Sequence, residues 1–566
     1  MTRVEGTAFV ERGAPLGTIR RPIISRVQGG HSLTDSPLVV GGSQPSAVAS
    51  RSGPLGMDWP RPLAMVLIMI GLFTLLRVAA AAFVGLGTDE SYSVAVARDL
   101  NLSYFDHPPM HYWLAHAVEP LAGVGRGDRG PFIALFAGSS LLMFLLTRRL
   151  FGEAAGVWAA LALNLSGFFT LAAGSWVLPD GPLIFGLLAA ATILAEHQFA
   201  ASPSSSQSAA ARPLLAWLAV GVCVGLAGLS KYQAALFCVG LGLYLITTSS
   251  GRRRLLEPGP YLAAAAALIV LSPVLVWNAN HHWASFAFQA GRGAPGKFRP
   301  LGPLSALLGQ AALLLPWIFV PTVGAVIAAA RKGPADERGW FCLMLAAPAI
   351  GLFTLTPLFG PLSLPHWSMP GWLLLFPLLG DLLARAARRK PWPVAWAAAA
   401  FAFILIVGAA AADDAASGWL GQRFPSAFRR GDPTAESIEW SQLRGPIARE
   451  PVVHQPGAFI AALKWNEAGK VDQAAGDLAP VAVISDDPRQ FAYRHPLAGF
   501  VGGDALIVGR IETVKARWAD LSRRFQSVSM LPPVAIGRDG HGEILVGLAL
   551  GRGLLASGPL PPGGRR

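Results

Sequence analysis

Cysteine and charged residues are both scarce in this sequence. The 566 residues include three cysteines, Cys223, Cys238 and Cys342, all in apolar runs. This excludes a disulfide framework and a cysteine-ligated zinc cluster. Only 14% of the residues are charged and 53% are hydrophobic, whereas water-soluble chains carry about a quarter charged residues. The composition is therefore that of a membrane protein.

Two binding signatures are missing as well. No glycine-rich phosphate loop is visible, so we expect no nucleotide cofactor. The net charge of +13 suggests a nucleic-acid partner, but no basic stripe interleaved with stacking aromatic residues occurs in a soluble stretch, so we expect no nucleic-acid binding. The placement of the charges is more informative than their sum.

Apolar segments long enough to span a membrane dominate the sequence. A spanning helix needs about 20 apolar residues, because each adds about 1.5 Å and lipid offers the backbone no hydrogen-bond partner. We count about eleven such segments. They lie near residues 62–87, 131–147, 154–174, 179–196, 213–230, 232–250, 260–278, 304–330, 340–358, 367–384 and 391–411.

Basic clusters fall at every second connection between these segments. By the positive-inside rule those connections are cytoplasmic, and the loops between them, including 88–130, 279–303 and 359–366, face outward. An odd number of spans also places the C-terminal tail outside. The clusters are Arg148-Arg149, Arg252-Arg253-Arg254, Arg331-Lys332, and Arg385 with Arg388-Arg389-Lys390.

Composition divides the chain into three parts. Residues 1–57 are rich in Ser, Gly, Pro and Arg, which predicts a disordered cytoplasmic leader. Residues 58–412 form the predicted transmembrane domain. Residues 413–566 hold 16 of the 33 acidic residues, and their short β-type runs separated by Gly, Pro and Asp predict a small periplasmic α/β domain. Within it, Phe459 to Ala468 has a helical pattern, and the last dozen residues are expected to be frayed.

The first outer loop carries Asp89 and Glu90 immediately after a span. At that depth a carboxylate is partly desolvated and its proton affinity is adjusted, which suits a general base. An equally ordinary interpretation makes Asp89 the N-cap or first-turn acid of the next helix. Position alone does not choose between these two.

The same loop continues with Asp106-His107-Pro108-Pro109. A carboxylate and an imidazole, held extended by the prolines, can ligate a divalent metal ion or bind phosphate. The simpler alternative is a solvated turn with a proline that begins a helix.

Charged residues also occur at the outer ends of later segments. Asp180 is either an N-cap or part of a polar cavity, since ionisable groups are costly at membrane depth. Lys231 either extends its ammonium to the boundary or binds a lipid phosphate. Arg292 and His366 lie in outer loops, and cations there oppose the orientation bias and so suggest an anionic ligand.

Several motifs follow one another in an order that resembles the bacterial branch of the dolichyl-phosphate-mannose protein mannosyltransferase family, which includes the aminoarabinose transferases of lipid A. The resemblance covers roughly residues 60–385 and extends faintly into the tail. The motifs are Asp89-Glu90-Ser91-Tyr92, Tyr104-Phe105-Asp106-His107-Pro108-Pro109, Pro179-Asp180-Gly181-Pro182, Gly228-Leu229-Ser230-Lys231-Tyr232, Trp277-Asn278 and His366-Trp367.

The resemblance implies a GT-C membrane glycosyltransferase of the bacterial inner membrane, with its active site facing the periplasm. Such an enzyme moves a sugar from a polyprenyl-phosphate donor to a lipid, glycan or protein acceptor, and membrane lipids surround it. The resemblance also implies site roles. Asp89 would be the general base with Glu90 beside it, Asp180 a second acid, Asp106 and His107 the reaction centre near a divalent ion or the donor phosphate, Lys231 the phosphate ligand, and His366 a further phosphate or acceptor contact.

One departure from the family pattern bears on metal binding. In the aminoarabinose branch a lysine occupies the position of His107, which leaves metal coordination and direct phosphate binding both open.

A second class of function also fits many spans with buried polar groups, namely a lipid or glycolipid transporter or flippase. That class predicts internal two-fold repeats, and none is evident. A noncatalytic sensing protein would leave unexplained why acids gather in three outer loops.

Overall fold

The computed structural model describes residues 62–122, 126–199, 211–293, 296–361, 363–428 and 432–555. The predicted leader, 1–57, and most of the C-terminal end expected to be frayed lie outside the described residues.

Each predicted apolar segment coincides with a helix or with two consecutive helices. This part of the chain comprises α1 (Pro62–Phe83), α2 (Thr88–Ala97), α3 (Met110–Ala122), α4 (Gly130–Phe151), α5 (Glu153–Asn164), α6 (Asp180–Gln198), α7 (Ala211–Gly228), α8 (Ala234–Thr247), α9 (Ser249–Arg254), α10 (Gly259–Asn280), α11 (Ala284–Gly291), α12 (Gly302–Leu314), α13 (Pro316–Lys332), α14 (Glu337–Leu355), α15 (Met369–Leu373), α16 (Phe376–Ala387) and α17 (Trp392–Ser417).

Within the described ranges, five helical stretches are long and apolar enough to cross a membrane, and two bent pairs would raise that number to seven. The other predicted spans coincide with shorter or more polar helices, so the full count stays a prediction. The five are Pro62–Phe83, Gly127–Phe151, Gly259–Asn280, Glu337–Leu358 and Trp392–Ser417.

The sharpest bend, 115°, separates α12 from α13. Leu315 lies between them with φ of 76°, a left-handed conformation that is uncommon for a residue with a side chain. Pro316 follows and has no amide hydrogen to donate, so α12 cannot continue and a new helix begins.

The predicted domain boundary at residues 412/413 stays a prediction. The part of the chain that follows α17, called the C-terminal domain below, contains helices and a β-sheet. Its bounds are α18 (Trp419–Arg423), α19 (Arg444–Ala448), β1 (Phe459–Ala462), α20 (Trp465–Ala475), β2 (Val481–Val483), α21 (Phe491–Arg494), β3 (Ala505–Arg510), α22 (Ile511–Ala516), α23 (Trp518–Arg524), β4 (Phe525–Met530), β5 (Val534–Arg538) and β6 (His541–Leu554).

These strands form one sheet in the order β2-β1-β3-β6-β4, with β5 also pairing β6. Strands β1, β2 and β3 are parallel, and the helical connections between them supply the crossovers that parallel pairing requires. The long strand β6 runs antiparallel to its neighbours and pairs β5 near its beginning and β4 near its end.

The helix predicted over Phe459 to Ala468 is wrong in its first half. Phe459–Ala462 is strand β1, buried on both faces, and the helix begins only at Trp465. A strand covered on both faces is continuously apolar and shows no alternation, so its pattern does not distinguish it from a helix.

The first outer loop shares a hydrophobic core with the C-terminal domain. Leu86, Tyr92 and Tyr104 from the loop region pack in the same buried cluster as Ile460 and Val471. Full burial of a large apolar side chain contributes about 1.5–3 kcal/mol, so this shared core fastens α2 to the sheet domain.

Helix α20 lies directly against the beginning of α2. A Cβ added to Gly469 would lie 2.4 Å from the Tyr92 nitrogen, so the two backbones touch. The ammonium of Lys470 donates to the carbonyls of Leu86 and Ile438, and burial lowers the pKa of Lys470 to about 8. The C-terminal domain thus holds the backbone just before Asp89.

We expect Gly469→Ala to destabilise this docking by about 1–3 kcal/mol, since the added methyl meets backbone atoms that cannot rotate away. Thermal unfolding of the purified protein in detergent measures the effect. Gly445→Ala, in α19, is the matched control, because its new Cβ would meet only the end of the Arg449 side chain at 3.9 Å. Equal stability of the two variants would contradict the close approach of α2 and α20.

Candidate active site

Glu90 is held by an ion pair and two backbone groups. Arg129 donates to its two carboxylate oxygens at 2.8 and 2.6 Å, and the amides of Gly87 and Val177 donate at 2.9 and 3.1 Å. Glu90 therefore caps α2 and ties it to Arg129, and both oxygens are occupied. These contacts suit holding the loop better than exchanging protons with a substrate.

Asp89 is a first-turn acid of α2, as one interpretation expected, but it is not the N-cap and takes no part in that ion pair. Gly87 is the N-cap of α2, and no described residue forms a side-chain hydrogen bond or ion pair with the Asp89 carboxylate. The side chain reaches solvent, yet the surrounding protein is close enough that burial raises the pKa of Asp89, and the negative charge of Glu436 raises it further. A free carboxylate with raised proton affinity has the properties of a general base.

Asp106 lies deeper, 1% exposed. The hydroxyls of Tyr92 and Tyr112 donate to its Oδ1 at 3.0 and 3.2 Å, and Nη1 of Arg489 lies 3.4 Å from its Oδ2. Three groups from separate elements thus hold this carboxylate in place.

His107 follows in a strongly cationic environment. Burial lowers its pKa well below the ordinary value, and the charges of Lys231 and Arg292 lower it further. The imidazole is therefore neutral near pH 7 and offers a hydrogen bond rather than a charge.

The residues around His107 do not fit the expected divalent ion. Asp106 is engaged by two tyrosines and Arg489, and the neighbouring cations repel another cation. In the described part of the chain no group of three or more His, Cys, Asp or Glu side chains is arranged to hold a metal. This surrounding suits an anion such as phosphate.

Asp180 and Lys231 form a buried ion pair. The Lys231 ammonium donates to both oxygens of Asp180 at 2.9 and 3.0 Å, and both side chains are 6% exposed. Asp180 does not cap α6, because it makes no capping hydrogen bond to that helix. The Lys231 ammonium is buried in this pair and does not extend to the protein surface. One of the three ammonium hydrogens remains for a ligand.

His366 and Arg292 lie near Lys231 and His107. His366 interacts electrostatically with both Lys231 and Asp180. The guanidinium of Arg292 lies over the Trp367 ring, 4.5 Å from its centroid, and burial lowers the pKa of Arg292. No described carboxylate lies within ion-pair distance of Arg292.

The structure therefore brings most of the predicted residues together. Lys231 and Asp180 lie close enough to His107 and His366 to interact with both electrostatically. Asp89 and Asp106 interact in the same way with Arg292. Arg292 also interacts with His107, so these residues form one polar site to which separate segments of the chain contribute acidic and cationic groups. Glu90, in contrast, is held by the ion pair with Arg129.

Sequence reasoning missed Arg489, which the C-terminal domain contributes. It lies in the loop after β2 and reaches Asp106. Little in the sequence indicated that Arg489 belongs to the site, because a basic residue after a short strand is similar to any other surface charge. Only the rule that ligands bind beyond the carboxyl ends of parallel strands could have indicated it.

The chain is similar to known glycosyltransferases. Residues 106–277 match the family model described as dolichyl-phosphate-mannose-protein mannosyltransferase. The lipid A galacturonosyltransferase RgtD of Rhizobium johnstonii is 27% identical over 351 residues, which cover 59% of this chain and 67% of the relative.

The fold has solved counterparts. ArnT from Cupriavidus metallidurans bound to undecaprenyl phosphate has a TM-score of 0.58 at 17% identity, covering 85% of this chain and 97% of that one. Its apo state has the same score at 16% identity, covering 86% and 97%. The resemblance inferred from the motifs is confirmed: residues 106–277 match this glycosyltransferase family model, the chain is similar to a lipid A galacturonosyltransferase, and it shares its fold with ArnT. The transporter alternative finds no support among these relatives.

We expect Lys231→Met to destabilise the protein by about 3–5 kcal/mol, because it leaves the Asp180 carboxylate buried without its partner. The double variant Asp180→Asn with Lys231→Met should recover most of the thermal stability without recovering transfer. Lys332→Met is the control, since Lys332 forms an exposed pair with Asp336 and such pairs contribute about 0–1 kcal/mol. A double variant as unstable as the single one would contradict a buried pair.

Proposed function

We propose that this enzyme transfers a sugar from a polyprenyl-phosphate donor to an acceptor on the periplasmic side of the inner membrane. One observation carries the proposal: Asp89, which has no side-chain partner among the described residues, lies within electrostatic range of Arg292. Arg292 and Lys231 in turn both lie within electrostatic range of His107. Sugar transfer needs such a pair of functions, a base for the acceptor and cations for the departing phosphate.

In the proposed reaction, the acceptor hydroxyl attacks the anomeric carbon of the sugar as its proton passes to Asp89. The bond between that carbon and the phosphate oxygen breaks, and the polyprenyl phosphate leaves with the bonding electrons. Lys231 and Arg292 stabilise the phosphate charge, while His107 and His366 offer hydrogen bonds. Phosphate is already a good leaving group, so no acid is needed to protonate it.

Glu90 and Asp180 act in this scheme as positioning residues. Glu90 fixes the beginning of α2 through Arg129, and Asp180 fixes Lys231. Asp106, held by its tyrosines, orients the loop that carries His107. We assign no metal ion to the reaction, because the donor set does not fit one.

The donor and acceptor classes rest on the relatives. A lipid-linked phosphate is supported by the undecaprenyl phosphate that ArnT binds, and a glycolipid of the lipid A type by the acceptor named for RgtD. We propose that the transferred group is a hexosyl or pentosyl unit and that glycans and proteins are the other acceptors to test.

The proposed topology keeps about eleven spans, with the domain boundaries at residues 57/58 and 412/413. The basic clusters support it, because Arg148-Arg149 and Arg331-Lys332 lie in the last turns of α4 and α13. Asp180 begins α6, and Lys231 follows α7, as expected of residues at the opposite, outer boundary.

Comparison of envelope glycolipids and glycoproteins by mass spectrometry, with and without the gene, tests the function. We expect a hexose, pentose or amino-sugar increment to vanish without the protein and to stay absent when Asp89→Asn is supplied, since a general base contributes about 10²–10⁴-fold in rate. Asp413→Asn, an exposed carboxylate at the end of α17, should restore the increment. An unchanged glycan profile in all strains would refute the function.

The transfer rate should fall as pH decreases through the pKa of Asp89, because only the carboxylate accepts the proton. Since burial and Glu436 raise this pKa, the fall should begin above the range of an ordinary aspartate, about 3.9. Initial rates of the purified protein across pH measure it. Glu436→Gln removes a charge that raises the pKa, so it should move the acid limb to lower pH. A limb that stays in place would argue against Asp89 as the titrating base.

A further inference from the structure

Arg489 is a guanidinium of the C-terminal domain that enters the site of the membrane domain. Its backbone is left-handed, with φ of 51°, which is uncommon for a residue with a side chain. Gln490 fixes the loop on both sides, because its amide donates to the Tyr92 hydroxyl at 3.1 Å and its side-chain oxygen accepts from the Phe105 amide at 2.8 Å. The loop is therefore built to present Arg489 at this place.

The contacts of Arg489 leave much of its hydrogen-bonding capacity unused. The guanidinium stacks on Trp465, 3.9 Å from the ring centroid. Its ion contacts with Asp106 and Asp487 are single and long, both 3.4 Å, whereas a structural Arg–carboxylate pair is typically shorter and bidentate. Of the five donors in the planar fork, three make no hydrogen bond to a described residue, and the side chain is 18% exposed.

Trp465 and Arg489 occupy equivalent places in the sheet. Trp465 follows β1 and Arg489 follows β2, and these strands are parallel. Both residues thus lie beyond carboxyl ends of parallel strands, where open α/β sheets bind ligands.

A second guanidinium lies close by without an acidic partner among the described residues. Arg292 and Arg489 both lie over the Phe288 ring, 5.7 and 5.2 Å from its centroid, and they interact electrostatically. Two like charges in a partly buried place repel each other, and an anion bound beside them relieves that repulsion.

Arg489 lies among the acidic groups of the site. Its side chain forms an ion pair with Asp106, and it interacts electrostatically with Asp89 and with His107. A ligand group that binds Arg489 therefore lies near the proposed base, Asp89, where the acceptor and the transferred sugar meet.

We propose that Arg489 is a specificity-determining residue that binds a second anionic group, a carboxylate or a phosphate, carried by the transferred sugar or by the acceptor next to the attacking hydroxyl. The inference rests on the proposed glycosyl transfer and adds the charge class of one substrate. Trp465 supports the guanidinium, and the planar fork binds the two oxygens of the anion.

The test uses the full chain in lipid nanodiscs and two pairs of substrates. One pair consists of undecaprenyl-phosphate donors carrying a uronic acid or the corresponding neutral hexose. The other consists of a phosphorylated lipid A-type acceptor and its dephosphorylated form. The rates and KM of the wild type, Arg489→Gln and Arg489→Lys are compared, with Arg523→Gln as control, since Arg523 is 75% exposed and contacts only its own helix.

We expect the wild type to prefer the acidic member of one pair, which identifies the source of the anion. Arg489→Gln should raise KM for that member at least about 10-fold more than KM for its neutral counterpart, since the loss of the Asp106 contact affects both members alike, and Arg489→Lys should be intermediate. An equal loss on acidic and neutral members, or a wild type that does not discriminate in either pair, would overturn the inference and leave the transferase intact. A wild type inactive with every combination would overturn the inference, while the comparison of envelope glycolipids and glycoproteins decides the proposed function separately. Thermal midpoints show whether each variant is folded.

Discussion

The seating of α20 on α2 is the contact on which the position of the reactive carboxylate depends. Gly469 lets the two backbones touch, and Lys470 donates to the carbonyl of Leu86 just before the helix begins. Arg129 holds Glu90 from the membrane side. Asp89 therefore lies in the first turn of a short helix. Both the membrane domain and the C-terminal domain fix this helix, and the Asp89 side chain has no described partner in that turn.

Charge is distributed so that burial and reactivity are compatible. Lys231 would be costly to bury alone, but with Asp180 it forms a neutral pair. The pair lies beside His107 and His366. Burial and the neighbouring cations lower the pKa of His107, so this imidazole adds no positive charge. At an effective dielectric constant of about 20, two unit charges 4 Å apart interact by about 4 kcal/mol. In the proposed reaction, Arg292, which has no ion-pair partner among the described residues, would therefore contribute to stabilising the departing phosphate.

The sequence predicted those features that depend on local chemistry. Apolar runs predicted the helices, and the acids placed at helix ends predicted a shared polar site, in which Asp89 and Asp106 lie within electrostatic range of each other. What it did not predict depends on partners distant in the chain. Nothing near Glu90 in the sequence indicates that Arg129 forms an ion pair with it. The position of Asp180 suggested a helix cap, whereas its actual partner is the ammonium of Lys231, 51 positions later. The strand Phe459–Ala462 was misread because burial on both faces removes the alternation that identifies strands.

The division of the cavity between two domains bears on how substrate range is controlled. The membrane domain carries Asp180 at the beginning of α6 and Lys231 between α7 and α8, and buried packing that tolerates little change sets their geometry. Arg489 instead sits on a loop after β2, held by Gln490 and a ring stack. Loops vary more easily than packed cores. Substitutions in this loop would therefore alter which acceptor or sugar is bound near Asp89 while the contacts to the carrier phosphate stay the same, so the C-terminal domain is where differences in specificity between related enzymes should lie.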